Sequence, residues 1–296
     1  MFKFTHARFF RLAGLPALAL FISAIGVLAT PATARADEWN KKYTFSGKPD
    51  LRVETGDGDV EIATGPANEI TARVDAQGYK INSGDLRIEE SQEGNRIQIL
   101  VRTHGHFTFF SIGHRGLKVQ VTVPAQSDME IRTGDGNVST SPVEGKIQID
   151  TGDGNVNAKG LHGDIRLHSG DGHIEGQDFA GILNVDTGDG HINVTGRFDV
   201  LYLKTGDGGI DAQADQGSKI TDSWTLHSGD GHINLKVPAD FSADLDAKTG
   251  DGHITLDFPV SVSGAISESR IHGKLNAGGG TLAVSSGDGS IHIQKL

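Results

Sequence analysis

The sequence predicts an all-β protein, a single-stranded β-solenoid (β-helix) of roughly 18-residue coils, and three observations predict it. The tetrapeptide Thr/Ser-Gly-Asp-Gly occurs nine times, starting at Thr55, Thr133, Thr151, Ser169, Thr187, Thr205, Ser228, Thr249 and Ser286. The five copies from Thr133 to Thr205 follow one another at eighteen residues; such a period marks a stacked repeat in which no unit buries its apolar face alone. Apolar residues alternate on both sides of the motif, as strands require. They include Ile147 and Ile149, Ile165 and Leu167, Leu183 and Val185, and Leu201 and Leu203 before it, and Val156, Ile174, Ile192 and Ile210 after it. With 41 Gly, no Cys and 6% aromatic residues among 296, the composition suits many short strands broken by corners.

The chain opens differently. In residues 1–36, Lys3, Arg8 and Arg11 precede the mostly apolar run from Leu15 to Leu28, and Ala34-Arg35-Ala36 offers small residues for cleavage before Asp37. This is the pattern of a secretory signal peptide. An uncleaved anchor is the competing reading, against which stand Pro16 and Gly26 inside the apolar run. An exported protein is expected, whether periplasmic, surface-bound or secreted. Without Cys there is neither a lipid-attachment thiol nor a disulfide, and no segment after residue 36 is apolar enough to span a bilayer as a helix.

Loss of residues 1–36 takes the net charge from −11 to −15. Nucleic acid and anionic lipid, which demand a basic footprint, are thereby disfavoured. Envelope or surface proteins and glycans are the expected partners.

Residues 37–296 read as one β-solenoid domain in two sections. From 37 to 130 the coils are irregular and include a cap, with longer alternating segments at Leu51-Arg-Val-Glu54, Ile70-Thr-Ala-Arg-Val74, Leu86-Arg-Ile88, Ile97-Gln-Ile-Leu-Val101 and Leu117 to Pro124. The aromatic insert His104-Gly-His106-Phe-Thr-Phe-Phe110 has two readings, an exposed binding loop or a flap over the open apolar end. From 131 to 296 lie the regular Gly-Asp-Gly coils.

Within a coil, Gly-Asp-Gly is expected to be a tight corner, its glycines chosen for access to positive φ and its Asp for bonding nearby amides. A second corner follows at Val143-Glu-Gly-Lys-Ile147, Leu161-His-Gly-Asp-Ile165 and Phe179-Ala-Gly-Ile-Leu183. An antiparallel meander with two-residue Gly-Asp hairpins is the rival geometry. It would set Glu54 opposite Asp59, a repulsive pair, whereas strict repetition is what coil stacking demands.

The residues just before and four after each Thr or Ser should face outward. The first set reads Asp150, His168, Asp186, Lys204, His227, Lys248; the second Asn155, His173, His191, Gly209, His232, His253. At ~4.8 Å between strands, His168, His173, His191 and Asp186 are a candidate zinc site of imidazole and carboxylate donors. His227, His232 and His253 form a second cluster beside Lys248. A solvated polar face is the plain alternative for both. The corner row Asp135, Asp153, Asp171, Asp189 and Asp207 admits calcium or a turn-forming role alone, and the Gly-Gly-x-Gly-x-Asp nonapeptide of calcium β-rolls is missing.

Catalysis needs a local, non-repeating cluster, and here the acids recur at every corner. There is no Gly-x-Ser-x-Gly elbow, phosphate loop or Cys nucleophile. The expectation is a protein without enzymatic activity, cofactor or catalytic residue, with a polysaccharide-active β-helix enzyme or a cation-binding envelope protein as alternatives.

The chain resembles the bacterial putative-adhesin family of β-solenoid proteins, a domain of unknown function. The resemblance rests on Leu51-x-Val-x-Thr-Gly-Asp-Gly-x-Val60, on Val121-Thr-Val-Pro-Ala125, on the repeated apolar-x-Gly-x-apolar-x-apolar-x-Thr/Ser-Gly-Asp-Gly unit, and on Ile271-His-Gly-Lys-Leu-Asn-Ala-Gly-Gly-Gly280. It spans nearly all of residues 37–296 and implies a β-solenoid at the cell envelope, acting as an adhesin or scaffold. It supplies no site residues.

Overall fold

The computed structural model describes residues 37–103, 116–262 and 267–296. The signal segment and the aromatic insert lie outside them. The described chain is all-β and solenoid-like, with 23 strands hydrogen-bonded into one continuous sheet.

Each coil contributes a long arm that ends at the Thr or Ser of the motif and a short arm that begins at the Val or Ile five residues on. Long arms pair in parallel and in register: Val143–Thr151 lies between Asp128–Thr133 and Leu161–Ser169, with Ile147 matched to Ile165 and Ile149 to Leu167. Short arms do the same, Val156 facing Ile174, Ile174 facing Ile192 and Ile192 facing Ile210. These four are 1% exposed or less, one core row as the alternation demands. Strands on the two sides of a corner do not pair with each other, which removes the meander.

The corner glycines answer to a different constraint from the one expected. None of the motif's glycines has φ in the left-handed range. What forbids a side chain is the next coil: a Cβ on Gly172 would sit 2.0 Å from the Gly154 carbonyl oxygen, and one on Gly154 would sit 1.9 Å from that of Gly136. Positive φ appears instead at the second corner, at 117° for Gly163 and 110° for Gly181.

The Thr or Ser closes eight of the nine corners from inside, the exception being Thr55, whose buried hydroxyl has no hydrogen-bond partner. At those eight the hydroxyl donates to the carbonyl of the motif's last glycine one coil away, at 2.8–3.0 Å for Thr151 to Gly136, Ser169 to Gly154, Thr187 to Gly172 and Thr205 to Gly190. Ser228, Ser286 and Thr249 continue the column onto Gly208, Gly231 and Gly289. Only a small residue with a hydroxyl both fits this buried row and satisfies the carbonyls that stacking hides. The motif aspartates are exposed at all nine corners.

Chain order and spatial order part company at both ends. Asp50–Thr55 pairs with Asp128–Thr133 on one side and with Arg96–Thr103 on the other, so the chain leaves the inner coil, builds an outer one and returns. At the far end Thr281–Ser286 is wedged between Ser223–Ser228 and Ala243–Thr249, and the last strand Ile291–Lys295 between Ile233–Val237 and Ile254–Leu256. The final coil of the sequence is therefore the penultimate coil in space, which the uniform reading of 131–296 did not anticipate. Antiparallel strands flank the outer coils: Leu86–Glu93 on Arg96–Thr103, Glu69–Gln77 on Gly116–Pro124, and Arg270–Leu275 on Ala243–Thr249. They cover edges that would otherwise template association.

Candidate metal-ligating site on the outer ladder

The first residue after each corner builds a second ladder, on the outside. Asp59 Oδ1 accepts from the Asn137 backbone N–H, Asn137 Oδ1 from that of Asn155, Asn155 Oδ1 from that of His173, and His173 Nδ1 from that of His191, all at 2.8–3.0 Å. His173 thus stands as a structural equivalent of asparagine, a polar group that caps an exposed amide one coil away.

The ladder breaks at Gly209, which follows His191 in the column and precedes His232. A Cβ there would lie 2.5 Å from His232 Cε1 and 3.0 Å from His191 Nδ1, so the missing side chain is what lets the rings above and below lean together. Their centroids are 5.8 Å apart. Both rings meet Asp211, two residues along the short arm and therefore on the same outward face. His191 Nε2 is 2.8 Å and His232 Nε2 3.5 Å from Asp211 Oδ2. The other oxygen, Oδ1, accepts from Asn234 Nδ2 at 2.7 Å. Partial burial pushes the Asp211 carboxyl up, but the Asn234 hydrogen bond and the two imidazoles outweigh it and hold the group below its ordinary range. One ligand atom from each of His191, Asp211 and His232 lies within 4.8 Å of the others, the sole such grouping among the described residues.

Of the residues singled out in the sequence, His191 of the first cluster and His232 of the second belong to this trio, and Asp211 belongs to neither cluster. His168 and Asp186 face each other on adjacent long arms, in a column that runs Arg132, Asp150, His168, Asp186, Lys204, His227, where Asp150 stands between Arg132 and His168 and Asp186 between His168 and Lys204. His173 and His191 open short arms on the other side of the corner, and the four are not brought together. His227, of the second cluster, bonds Ser285 through Nδ1 at 2.9 Å, and His253 lies 4.0 Å from Glu268. The signal that sequence reading passed over is the gap itself: a glycine between two histidines in a column whose other members carry polar side chains, with Asp two places on.

Elsewhere the surface offers open grooves. One near the first strands, about 540 Å³, is lined by Lys41, Lys42, Glu61, Thr71, Arg73 and Gln120 among others. Its charged groups are already engaged: Glu61 is held below the usual carboxylate range by Lys118 and Gln120, and Arg73 clasps Asp75 at 2.8 Å. No helix among the described residues is long and apolar enough to cross a membrane.

The sequence pattern of the Toastrack DUF4097 family matches residues 49–294. Solved structures similar to this chain include a "putative lipid binding protein" from Parabacteroides distasonis ATCC 8503, 15% identical, with a TM-score of 0.46 over 87% of this chain and 96% of that one. A "putative adhesin" from Bacteroides fragilis NCTC 9343 is 13% identical, with a TM-score of 0.42 over 88% and 97%. A "putative cell adhesion protein" from Clostridium sporogenes ATCC 15579 is also 13% identical, with a TM-score of 0.30 over 88% and 100%. No curated protein matches the chain.

Proposed function

The chain belongs to the Toastrack DUF4097 family, and from that premise we propose an exported, non-enzymatic envelope β-solenoid of roughly 18-residue coils whose polar outer faces serve attachment, adhesion or scaffolding. The observation that carries the reading is the outward surface itself. Over successive coils it presents in-register columns of polar and charged side chains, Arg132 to His227 before the corners and Asp59 to His191 after them. A rigid, repetitive polar face suits a partner that is itself extended and repetitive, such as a glycan chain or an envelope protein. The basic, apolar and small-residue order of residues 1–36 supports export.

Glycan-array and envelope-protein binding screens on the purified chain test the proposal. Saturable binding to a defined sugar or protein, weakened by Lys204→Glu in the charged column, is the expected result. Turnover of a polysaccharide by the chain, or a native product that still begins at Met1 inside the cytoplasm, would overturn it.

A further inference from the structure

The break in the outer ladder carries an inference independent of adhesion. We propose that His191, Asp211 and His232 form a binding site for a divalent transition-metal ion of the zinc class, assembled across three coils by the gap at Gly209.

The donor set selects the ion. Two imidazoles and a carboxylate suit zinc and its first-row neighbours, whereas calcium and magnesium take all-oxygen shells. The spacing of the carboxylate to each imidazole needs little adjustment, and the three ligand atoms all lie within 4.8 Å of one another. Two donors bound to one zinc at about 2.0–2.1 Å in tetrahedral geometry are on the order of 3.4 Å apart, and the Asp211 oxygen already lies 2.8 and 3.5 Å from the two imidazole nitrogens. Its partner oxygen is fixed by Asn234, the kind of outer hydrogen bond that orients a ligating carboxylate. The three side chains are between 35% and 49% exposed, open to an ion from solvent yet seated on strands rather than on a loop. Each imidazole would coordinate through a ring nitrogen that carries no proton, its N–H residing on the other nitrogen. Three protein donors leave one tetrahedral position for water or for a ligand from another molecule.

Gly209 is what separates this trio from a chance meeting of polar side chains. Elsewhere in the column the residue in between fills the space and caps an amide; here its absence clears the volume that both rings enter.

The test is titration of the full-length chain with zinc chloride by calorimetry, and with cobalt chloride by visible absorption, since tetrahedral cobalt reports its own coordination. One saturable ion per chain is expected, with affinity at least tenfold weaker in His191→Ala, Asp211→Asn and His232→Ala and unchanged in His168→Ala. Gly209→Val keeps all three ligands but fills the gap, and a loss of at least tenfold is expected there too. Because these side chains are half-exposed, circular dichroism should show the alanine and asparagine variants folded. The absence of a saturable site overturns the proposal, as does affinity unmoved in the trio variants, affinity unmoved in Gly209→Val, or a loss confined to His168→Ala.

Discussion

Replacing Thr151 by Val tests whether the buried hydroxyl column, rather than apolar packing, holds coil to coil. Thr151 is 4% exposed, donates to the Gly136 carbonyl at 3.0 Å and accepts from the Gly154 N–H at 3.2 Å. Val has nearly the same shape and no hydroxyl. The change forfeits a hydrogen bond of about 1 kcal/mol and strands a buried amide at about 1–3 kcal/mol, for a loss of roughly 2–4 kcal/mol before any apolar gain. Serine is the informative comparison. It keeps the hydroxyl, sheds one methyl worth about 0.8 kcal/mol, and already fills the equivalent place at Ser169, Ser228 and Ser286 with donor distances of 2.8–2.9 Å. Urea unfolding should therefore rank wild type above Thr151→Ser and Thr151→Ser above Thr151→Val. Burial of apolar area alone predicts the reverse order for the two variants, so a Val variant as stable as the Ser variant would refute the reasoning.

Ile192 is fully buried between Ile174 and Ile210, so Ile192→Asp should cost several kcal/mol, on the order set by an unpaired buried charge. Asn193→Asp, one residue along and facing solvent, should leave the melting temperature nearly unmoved; equal effects at the two positions would contradict the alternation. Asp128 accepts from the Lys146 N–H of the next coil at 2.7 Å and pairs with Lys48 at 2.6 Å. Burial raises its pKa, but Lys48 and the Lys146 amide outweigh that and hold the carboxyl below its ordinary range. A depressed folded-state pKa stabilises above the unfolded value and loses that contribution as pH falls through the folded value. Wild type should thus exceed Asp128→Asn in stability at neutral pH, by a margin that shrinks below the ordinary Asp range; a margin independent of pH would discard the linkage.

The strands and their inward faces were legible because a period of eighteen and a period of two are both written directly in the residues, from Ile147 and Ile149 to Leu201 and Leu203. The reason for the glycines was not. A Gly-Asp-Gly corner looks the same in sequence whether φ or a neighbouring carbonyl excludes the Cβ, and only the distance from Gly172 to the Gly154 oxygen decides between them. The threading of the ends was hidden for a related reason. Ser228, Thr249 and Ser286 carry equivalent motifs, so each can stack on any other, and nothing local specifies that Ser286 lies between the first two. What selects that order is global: the outer coil must be the one whose neighbour, Arg270–Leu275, turns back antiparallel to cover it.

The site was illegible for the opposite reason, since regularity drew the reading toward what repeats. Equivalent positions in a solenoid share a backbone environment, so the histidine at His173 is first of all an amide cap, as Asn137 and Asn155 are in the same column. A ligand set needs side chains that converge, and identical residues on parallel, evenly spaced strands stand side by side instead. Convergence requires a departure from the repeat, and in this column the departure is a deletion. Gly209 removes one side chain, the rings of His191 and His232 take its space, and Asp211, ordinary in its own column, acquires two imidazole partners. In a protein of stacked equivalent coils, local chemistry is therefore to be sought where the column skips a beat rather than where it keeps time.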